Sequence, residues 1–281
     1  MRAVVLDGTG KAELADVPEP HGPGELVHVR ACGLCGSDVE KLVTTRAGTV
    51  LGHEVVAQTE SGRRVALVHH LPCGECTRCR AGHESACDRF AGATIAPGGF
   101  AERVRAVEAV ELPAAVDDVA GTFAEPLACV LRGAERLPRG RVLIVGHGFV
   151  GRLFAFALRN RGDEVFARDI DPERDGQAPE GPVGAAVLCA PGGGDEALAA
   201  LEPGGTLLVF ASAGAVDLDD VYRRELHLVG SRSATPRHMR EAVGLLPSLD
   251  AMPTEVLPLE RFAEGLELYR SGRALKVVFT P

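Results

Sequence analysis

The chain reads as an α/β protein in two parts: a small, mostly antiparallel, barrel-like β domain and a doubly wound parallel sheet. Three observations carry this expectation. The first third is a series of short apolar strands broken by glycine and proline. From about Phe123 onward, apolar strands alternate with stretches of helical period. Within that second region, the compact strand Arg141–Val145 runs into Gly146-His-Gly-Phe-Val-Gly151 and then into an amphipathic helix. At roughly 150 residues per domain, 281 residues accommodate two small domains.

Taken in order, Arg2–Leu6 is the first strand. Leu26–Cys32 alternates, with Val27, Val29 and Ala31 on one face. Residues 54–60, 64–68 and 100–106 follow as further strands, separated by turn-forming clusters. Beyond the glycine-rich turn, Val150, Leu153, Phe154, Ala157 and Leu158 recur at helical spacing. Strands at 164–169, 185–190, 206–211 and 226–230 then alternate with helices near 195–201 and 237–246. The tail from Val256 to Phe279 returns to short elements. The expected division is 1–124 with 253–281 for the β domain and 125–252 for the parallel domain.

Composition narrows the function. The formal charge is −9 with no basic block, which argues against nucleic acid or an anionic membrane as partner. Tryptophan is absent and the aromatics are only 2 Tyr and 10 Phe, too few for a base-stacking platform. No apolar run reaches the ~18 residues of a membrane span, and Asp7 interrupts the first apolar stretch before it resembles a signal peptide. A soluble, cytoplasmic protein is expected.

Such a compartment keeps thiols reduced, so eight cysteines call for another explanation. Cys73, Cys76, Cys79 and Cys87 crowd into a polar stretch that also holds Glu75, Thr77, Arg78, Arg80, His83 and Glu84. Two-residue gaps let one loop wrap an ion and the fourth thiolate close the tetrahedron, which points to structural zinc, with iron–sulfur as the chemical competitor. Four thiolates leave no open position, so this site is not expected to be catalytic. Cys32, Cys129 and Cys189 sit in apolar strings and read as buried thiols. His69 and His70, just before the lobe, read either as cleft-lining or as loop residues, with loop favoured.

The glycine-rich turn stands between a strand and a helix, the context a dinucleotide site requires. Gly146 permits the tight turn, Gly148 lets backbone approach a pyrophosphate, and Gly151 allows close helix–strand packing; Phe149 and Val150 complete the turn. The helix N-terminus then faces the phosphates. Asp169 ends the second strand, 18 residues after Gly151, where a carboxylate accepts from ribose hydroxyls and repels a 2′-phosphate. That favours NAD over NADP, although Arg168 and Arg174 nearby pull the other way. His147 occupies a position usually taken by a small residue.

The cysteine lobe, together with Gly33-Leu-Cys-Gly-Ser-Asp38, Gly52-His-Glu54, Glu125-Pro-Leu-Ala128 and Gly98-Gly-Phe-Ala-Glu102, resembles the zinc-dependent medium-chain dehydrogenases of the alcohol, sorbitol and threonine type. The resemblance spans the whole chain, including the tail Lys276-Val-Val. It implies a GroES-like β domain and a Rossmann domain. It also implies two zinc ions per chain, the structural one in the lobe and a catalytic one held by Cys35, His53 and Glu125, with Glu54 approaching or exchanging onto the metal. By the same resemblance Ser37 passes a proton from substrate, Asp38 orients His53, and Glu40 stands where many relatives place the histidine that ends the relay. A catalytic zinc with three protein ligands and one open position is chemically consistent with this set.

The resemblance has departures. Only 17 residues separate Cys35 from His53, so a loop that often lines the substrate cleft is trimmed. Where the family has a helix and a third strand after Asp171, residues 172–182 are rich in Pro, Gly and charge, and both elements are expected to be missing. The implied function is transfer of hydride between NAD, bound at Gly146, Gly148, Phe149, Val150, Gly151, Asp169 and Arg174, and a secondary alcohol, polyol or amino alcohol, or the matching ketone. The expected partner is thus a small alcohol or ketone, and the chain is expected to form a dimer or tetramer. Two alternatives stand beside it: an NADPH-linked carbonyl reductase, and a non-catalytic zinc- and nucleotide-binding protein.

Overall fold

A computed structural model describes residues 1–89, 94–212 and 214–281. The chain forms two compact units: Met1–Glu125 with Ala234–Pro281, and Pro126–Ser233.

The first unit opens with the hairpin β1 (Arg2–Leu6) and β2 (Ala12–Asp16), paired Arg2 to Asp16. Then come β3 (Glu25–Gly33), the short helix α1 (Gly36–Lys41), β4 (Glu54–Thr59), β5 (Arg64–Leu67), the single turn α2 (Thr77–Arg80), and strands β6 (Ile95–Ala96), β7 (Arg103–Ala106) and β8 (Ala109–Glu111). β3 pairs antiparallel with β4 and β7, β4 with β5, and β5 with β8; along β3 the period-two set Val27, Val29 and Ala31 is buried, whereas β4 is buried on both faces from Glu54 to Ala57. Helix α3 (Asp118–Gly121), N-capped by the Asp117 side chain on the Ala120 N–H, leads to α4 (Ala124–Ala134).

The second unit is built on β9 (Arg141–Val145), α5 (Phe149–Asn160), β10 (Glu164–Arg168), β11 (Val183–Leu188), α6 (Gly194–Ala200), β12 (Leu201–Val209), α7 (Leu218–Arg223) and β13 (His227–Gly230). All neighbours pair in parallel, in the order β10-β9-β11-β12-β13. Helix α5 lies against β9 and β10 and buries Leu153, Phe154, Ala157 and Leu158, the periodic face. Phe154 meets Phe210 edge to face, with ring centroids 4.9 Å apart.

Between β10 and β11, residues 169–182 contain neither helix nor strand, so the sheet lacks the third strand and its crossover helix. A parallel crossover needs a dozen or more residues whether or not they coil, and here extended chain does the job. The Ala167 N–H on the edge of β10 donates to the Gln177 carbonyl at 3.2 Å, partly covering an otherwise free strand edge. Arg141 then holds the returning chain, its Nη1 donating to Pro182 O at 2.6 Å and its Nη2 to Glu180 O at 2.9 Å.

The chain re-enters the first unit through α8 (Pro236–Leu245), which buries His238, Met239, Ala242 and Val243 and packs near β8. Sequence period identified this helix but placed it with the parallel domain; period does not say which core a helical face will meet. β14 (Glu255–Pro258), α9 (Phe262–Arg270) and β15 (Val277–Thr280) finish the unit. β15 joins β3 antiparallel, Phe279 opposite Cys32 and Val278 opposite Gly33. Phe279 also closes the core against Phe100 and Phe262, with centroids 5.6 and 4.8 Å away. No helix among the described residues is long and apolar enough to cross a membrane.

Candidate functional site

The first candidate centre forms where three elements of the β unit meet. Cys35 caps α1, while His53 and Glu54 lead into β4. One ligand atom from each of Cys35, His53 and Glu54 lies within 4.8 Å of the other two. Glu54 is the carboxylate gathered with Cys35 and His53, while Glu125, also expected as a ligand, is buried at the start of α4 and is not among these three. A thiolate, an imidazole and a carboxylate make the mixed donor set of an open zinc site.

Asp38 organises these donors from beneath. Buried in the first turn of α1, it accepts the Cys35 N–H at 3.1 Å on Oδ2, and its Oδ1 is 3.2 Å from His53 Nδ1. With Nδ1 engaged, Nε2 is the ring nitrogen left to face an ion. Burial alone would raise the Asp38 carboxyl, but the charge and hydrogen bond of His53 outweigh it and hold it below its ordinary value. Ser37 Oγ donates to Cys35 Sγ at 3.5 Å, and Glu40 is exposed on the same helix.

Two further residues stand at this centre, and the first of them had no role from sequence. Lys276, just before β15, is buried and pairs with Glu54 Oε2, while its Nζ also donates to Leu34 O at 3.0 Å. Only the tail motif hinted at it. His69 lies in the loop after β5, as the sequence favours, and its ring is 4.8 Å from that of His53. Burial, then the charge of His53, pulls its pKa down to about 3, so it is a neutral imidazole at working pH.

The second centre is the lobe. Sγ of Cys73 and Cys79 are 3.9 Å apart, those of Cys76 and Cys87 4.0 Å, and all four fall within 4.8 Å of one another. These separations are far too long for a disulfide, at about 2.05 Å. They match the edge of a sulfur tetrahedron about a single zinc, about 3.8 Å for Zn–S bonds of about 2.3 Å. A multi-iron cluster would spread the thiolates further, so one ion fits best. Backbone N–H groups support the thiolates: Cys73 N donates to Cys87 Sγ, Cys76 N to Cys73 Sγ and Cys79 N to Cys76 Sγ. The N–H groups of Glu75 and Cys76 draw the Cys73 thiol down to about 6.

The third feature is the glycine-rich turn of the parallel unit. Gly146 has φ +93°, a conformation that favours glycine, and a Cβ there would strike Ala190. A Cβ on Gly151 would strike the Gly146 carbonyl, so that position admits nothing larger. Gly148 caps α5, whose first turn starts at Phe149 (buried) and Val150 (half-buried). Asp169, at the end of β10, accepts the His147 N–H at 2.7 Å and the Asp171 N–H at 2.9 Å. Arg174 Nε sits 3.1 Å from Asp171 Oδ2.

Comparison with known proteins agrees with this anatomy. Residues 22–114 match the family described as alcohol dehydrogenase GroES-like domain. The chain is 31% identical to D-altritol 5-dehydrogenase of Agrobacterium fabrum (strain C58), over 88% of each protein. It is 25% identical to sorbitol dehydrogenase of Halalkalibacterium halodurans, over 100% of this chain and 99% of that one. L-idonate 5-dehydrogenase (NAD(P)(+)) of Escherichia coli K12 is 32% identical over 53% of this chain and 51% of its own. The solved structure of an L-idonate 5-dehydrogenase from E. coli K-12 MG1655 superposes with a TM-score of 0.85, covering 100% of this chain and 98% of that one at 23% identity, a likeness of fold.

Proposed function

The chain belongs to the zinc-type medium-chain dehydrogenases, and from that premise we propose that it moves hydride between NAD and a secondary alcohol, polyol or amino alcohol. Alcohol and polyol oxidoreduction follows from the family; NAD and the hydroxyl class are the finer reading. The observation that carries it is the convergence of Cys35, His53 and Glu54 within 4.8 Å, with the Ser37 hydroxyl beside them.

The bound groups supply the chemistry: zinc makes the substrate hydroxyl more acidic and nicotinamide takes up the hydride. The chain's residues do the rest. Cys35, His53 and Glu54 would hold the ion, and Asp38 keeps the His53 ring turned toward it. Lys276 pairs with Glu54, both side chains buried, and so offsets the cost of placing that carboxylate in the interior. Ser37 Oγ takes the proton from the substrate oxygen and hands it outward, with exposed Glu40 as an acceptor at the mouth. Cys73, Cys76, Cys79 and Cys87 would hold a second, structural zinc. In the parallel unit, Gly146, Gly148, Phe149, Val150 and Gly151 would cradle the pyrophosphate, and Asp169 the ribose, with Arg174 beside it.

Assembly into a dimer or tetramer is part of the same reading. It is favoured by β13, an edge strand whose Leu228 is exposed, next in sequence to α7 with exposed Leu218 and Tyr222. Light scattering after size exclusion reads it directly, and a monomer at micromolar concentration counts against it.

The test of function is zinc per chain by native mass spectrometry, with and without Cys35→Ser. Two zinc ions in the parent, one in the variant, and loss of NAD-dependent alcohol oxidation with an unchanged melting temperature are expected. Unchanged turnover in Cys35→Ser, or a single zinc in the parent that added metal does not raise, refutes the assignment. A preference for NADPH that Arg174→Ala abolishes would favour the carbonyl-reductase alternative.

A further inference from the structure

His147 has no role in the reading above, although it stands between Gly146 and Gly148 where a small residue would serve the turn. Its surroundings supply one. In place of a crossover helix, residues 169–175 fold into a tight turn. Arg174 N donates to Asp171 O at 2.9 Å, Asp175 N to the same oxygen at 3.0 Å, and Asp169 N to Asp175 Oδ1 at 3.0 Å. This turn presents the Arg174 carbonyl to the glycine-rich turn, where His147 Nδ1 meets it at 2.9 Å.

That one contact settles the tautomer. A carbonyl oxygen only accepts, so Nδ1 carries the proton, and in a neutral imidazole Nε2 is then an acceptor. Nε2 of this half-buried ring has no partner among the described residues. Asp169 adds further acceptor capacity: its two oxygens each take one backbone N–H, and a carboxylate offers about four acceptor sites. The Arg174 guanidinium is engaged by Asp171. Arg168, the last residue of β10, is likewise paired, its Nε 3.2 Å from Asp175 Oδ1. The end of β10 therefore presents acceptors and two paired cations, a surface suited to hydroxyl donors and unfavourable to a phosphate dianion.

We propose that His147 is a specificity-determining residue of the adenosine end of the dinucleotide site, its Nε2 accepting from a ribose hydroxyl beside Asp169 and opposing a 2′-phosphate. The proposal rests on the turn being an NAD site. It also explains why shortening of the crossover and histidine in the turn occur together: the short loop supplies the carbonyl that fixes the ring.

The test is direct binding of NADH and NADPH to the full chain by isothermal titration calorimetry, with zinc content checked in each preparation. The parent should prefer NADH. His147→Ala should weaken NADH by about two- to tenfold, the size of one hydrogen bond, and leave NADPH unchanged or tighter, so that the preference narrows. His147→Asn can still donate to the Arg174 carbonyl from its Nδ2 but has no acceptor where Nε2 stood, so it should hold the loop and yet show the narrowed preference of His147→Ala; full recovery of the preference in His147→Asn would overturn the proposal. Equal losses for both nucleotides in His147→Ala mean that the ring only holds the loop, and overturn the proposal while the dinucleotide reading survives. A parent that prefers NADPH also overturns it. A parent that binds neither nucleotide refutes the dinucleotide reading and this proposal with it.

Discussion

At the residue scale, the ion pair between Lys276 and Glu54 has the largest energetic consequence. Both side chains are at most 3% exposed. Removing one partner of such a pair leaves an uncompensated buried charge and costs about 3–5 kcal/mol. Lys276→Met should therefore lower stability by about that amount in urea unfolding, and adding Glu54→Gln should recover part of it. A stable single variant would mean the pair is not closed off from water. Asp38→Asn should act differently: the fold persists, but zinc at Cys35 and His53 binds about 10–100-fold more weakly in chelator competition, because the ring loses its orienting acceptor. Gly33 is a third sensitive point, since a Cβ there would overlap the Glu54 carboxylate and crowd the Lys276 side chain; Gly33→Ala should lose the zinc at Cys35 and His53 while keeping that of the cysteine lobe. Short motifs were enough to nominate Cys35, His53 and the four lobe cysteines, because each stands in a local spacing with chemical meaning. The partner of Lys276 at a separation of 222 residues and the approach of the His69 ring to that of His53 were not legible. They depend on where distant strands cross, which local pattern does not encode.

At the element scale, the cysteine lobe and the bare crossover show two ways to order chain without a hydrophobic core. Of the lobe's sixteen residues from Pro72 to Cys87, only Cys79 is buried. Metal coordination is thus the main term that can offset its conformational entropy. Treating the protein with a strong chelator should open residues 74–86 to limited proteolysis, with cleavage mapped there and not in the sheets; resistance of the lobe without metal would contradict this. The crossover relies on Arg141 and on the edge of β10. Strand β9 was legible to the residue, since Arg141 followed by the apolar run Val142–Val145, bounded by Gly140 and Gly146, leaves little freedom. Strand β2 was not, because Ala12–Asp16 alternates two carboxylates with alanine and leucine and has no β-branched residue. The helix α9 was hidden in a tail that looked like short pieces, its Gly265 interrupting the period. That glycine is where Phe279 packs: a Cβ would strike its ring, so tertiary contact selected the residue against helix propensity.

At the whole-molecule scale, the first unit is assembled from two stretches far apart in sequence, Met1–Glu125 and Ala234–Pro281, while the second is continuous. A chain ending at residue 252 lacks β14, α9 and β15, hence the Phe279 seam, the neighbour of β3 and the cation that neutralises Glu54. It should keep no zinc at Cys35 and His53 and show a mobile first unit by amide exchange, with the protection of β9 and β11 retained. Full zinc loading of such a chain would show that β15 is dispensable. The same arrangement sets an order of events in the cell. A ribosome synthesising this protein exposes the cysteines and histidine of the first 90 residues well before Lys276, yet domains tend to fold as units as they emerge. The parallel unit can therefore fold on the nascent chain while the earlier-made β unit waits for its last strand. A site at Cys35, His53 and Glu54 is then completed only after Lys276 has emerged, and in the interval before it the thiols made earlier are open to oxidation or to capture of the wrong ion.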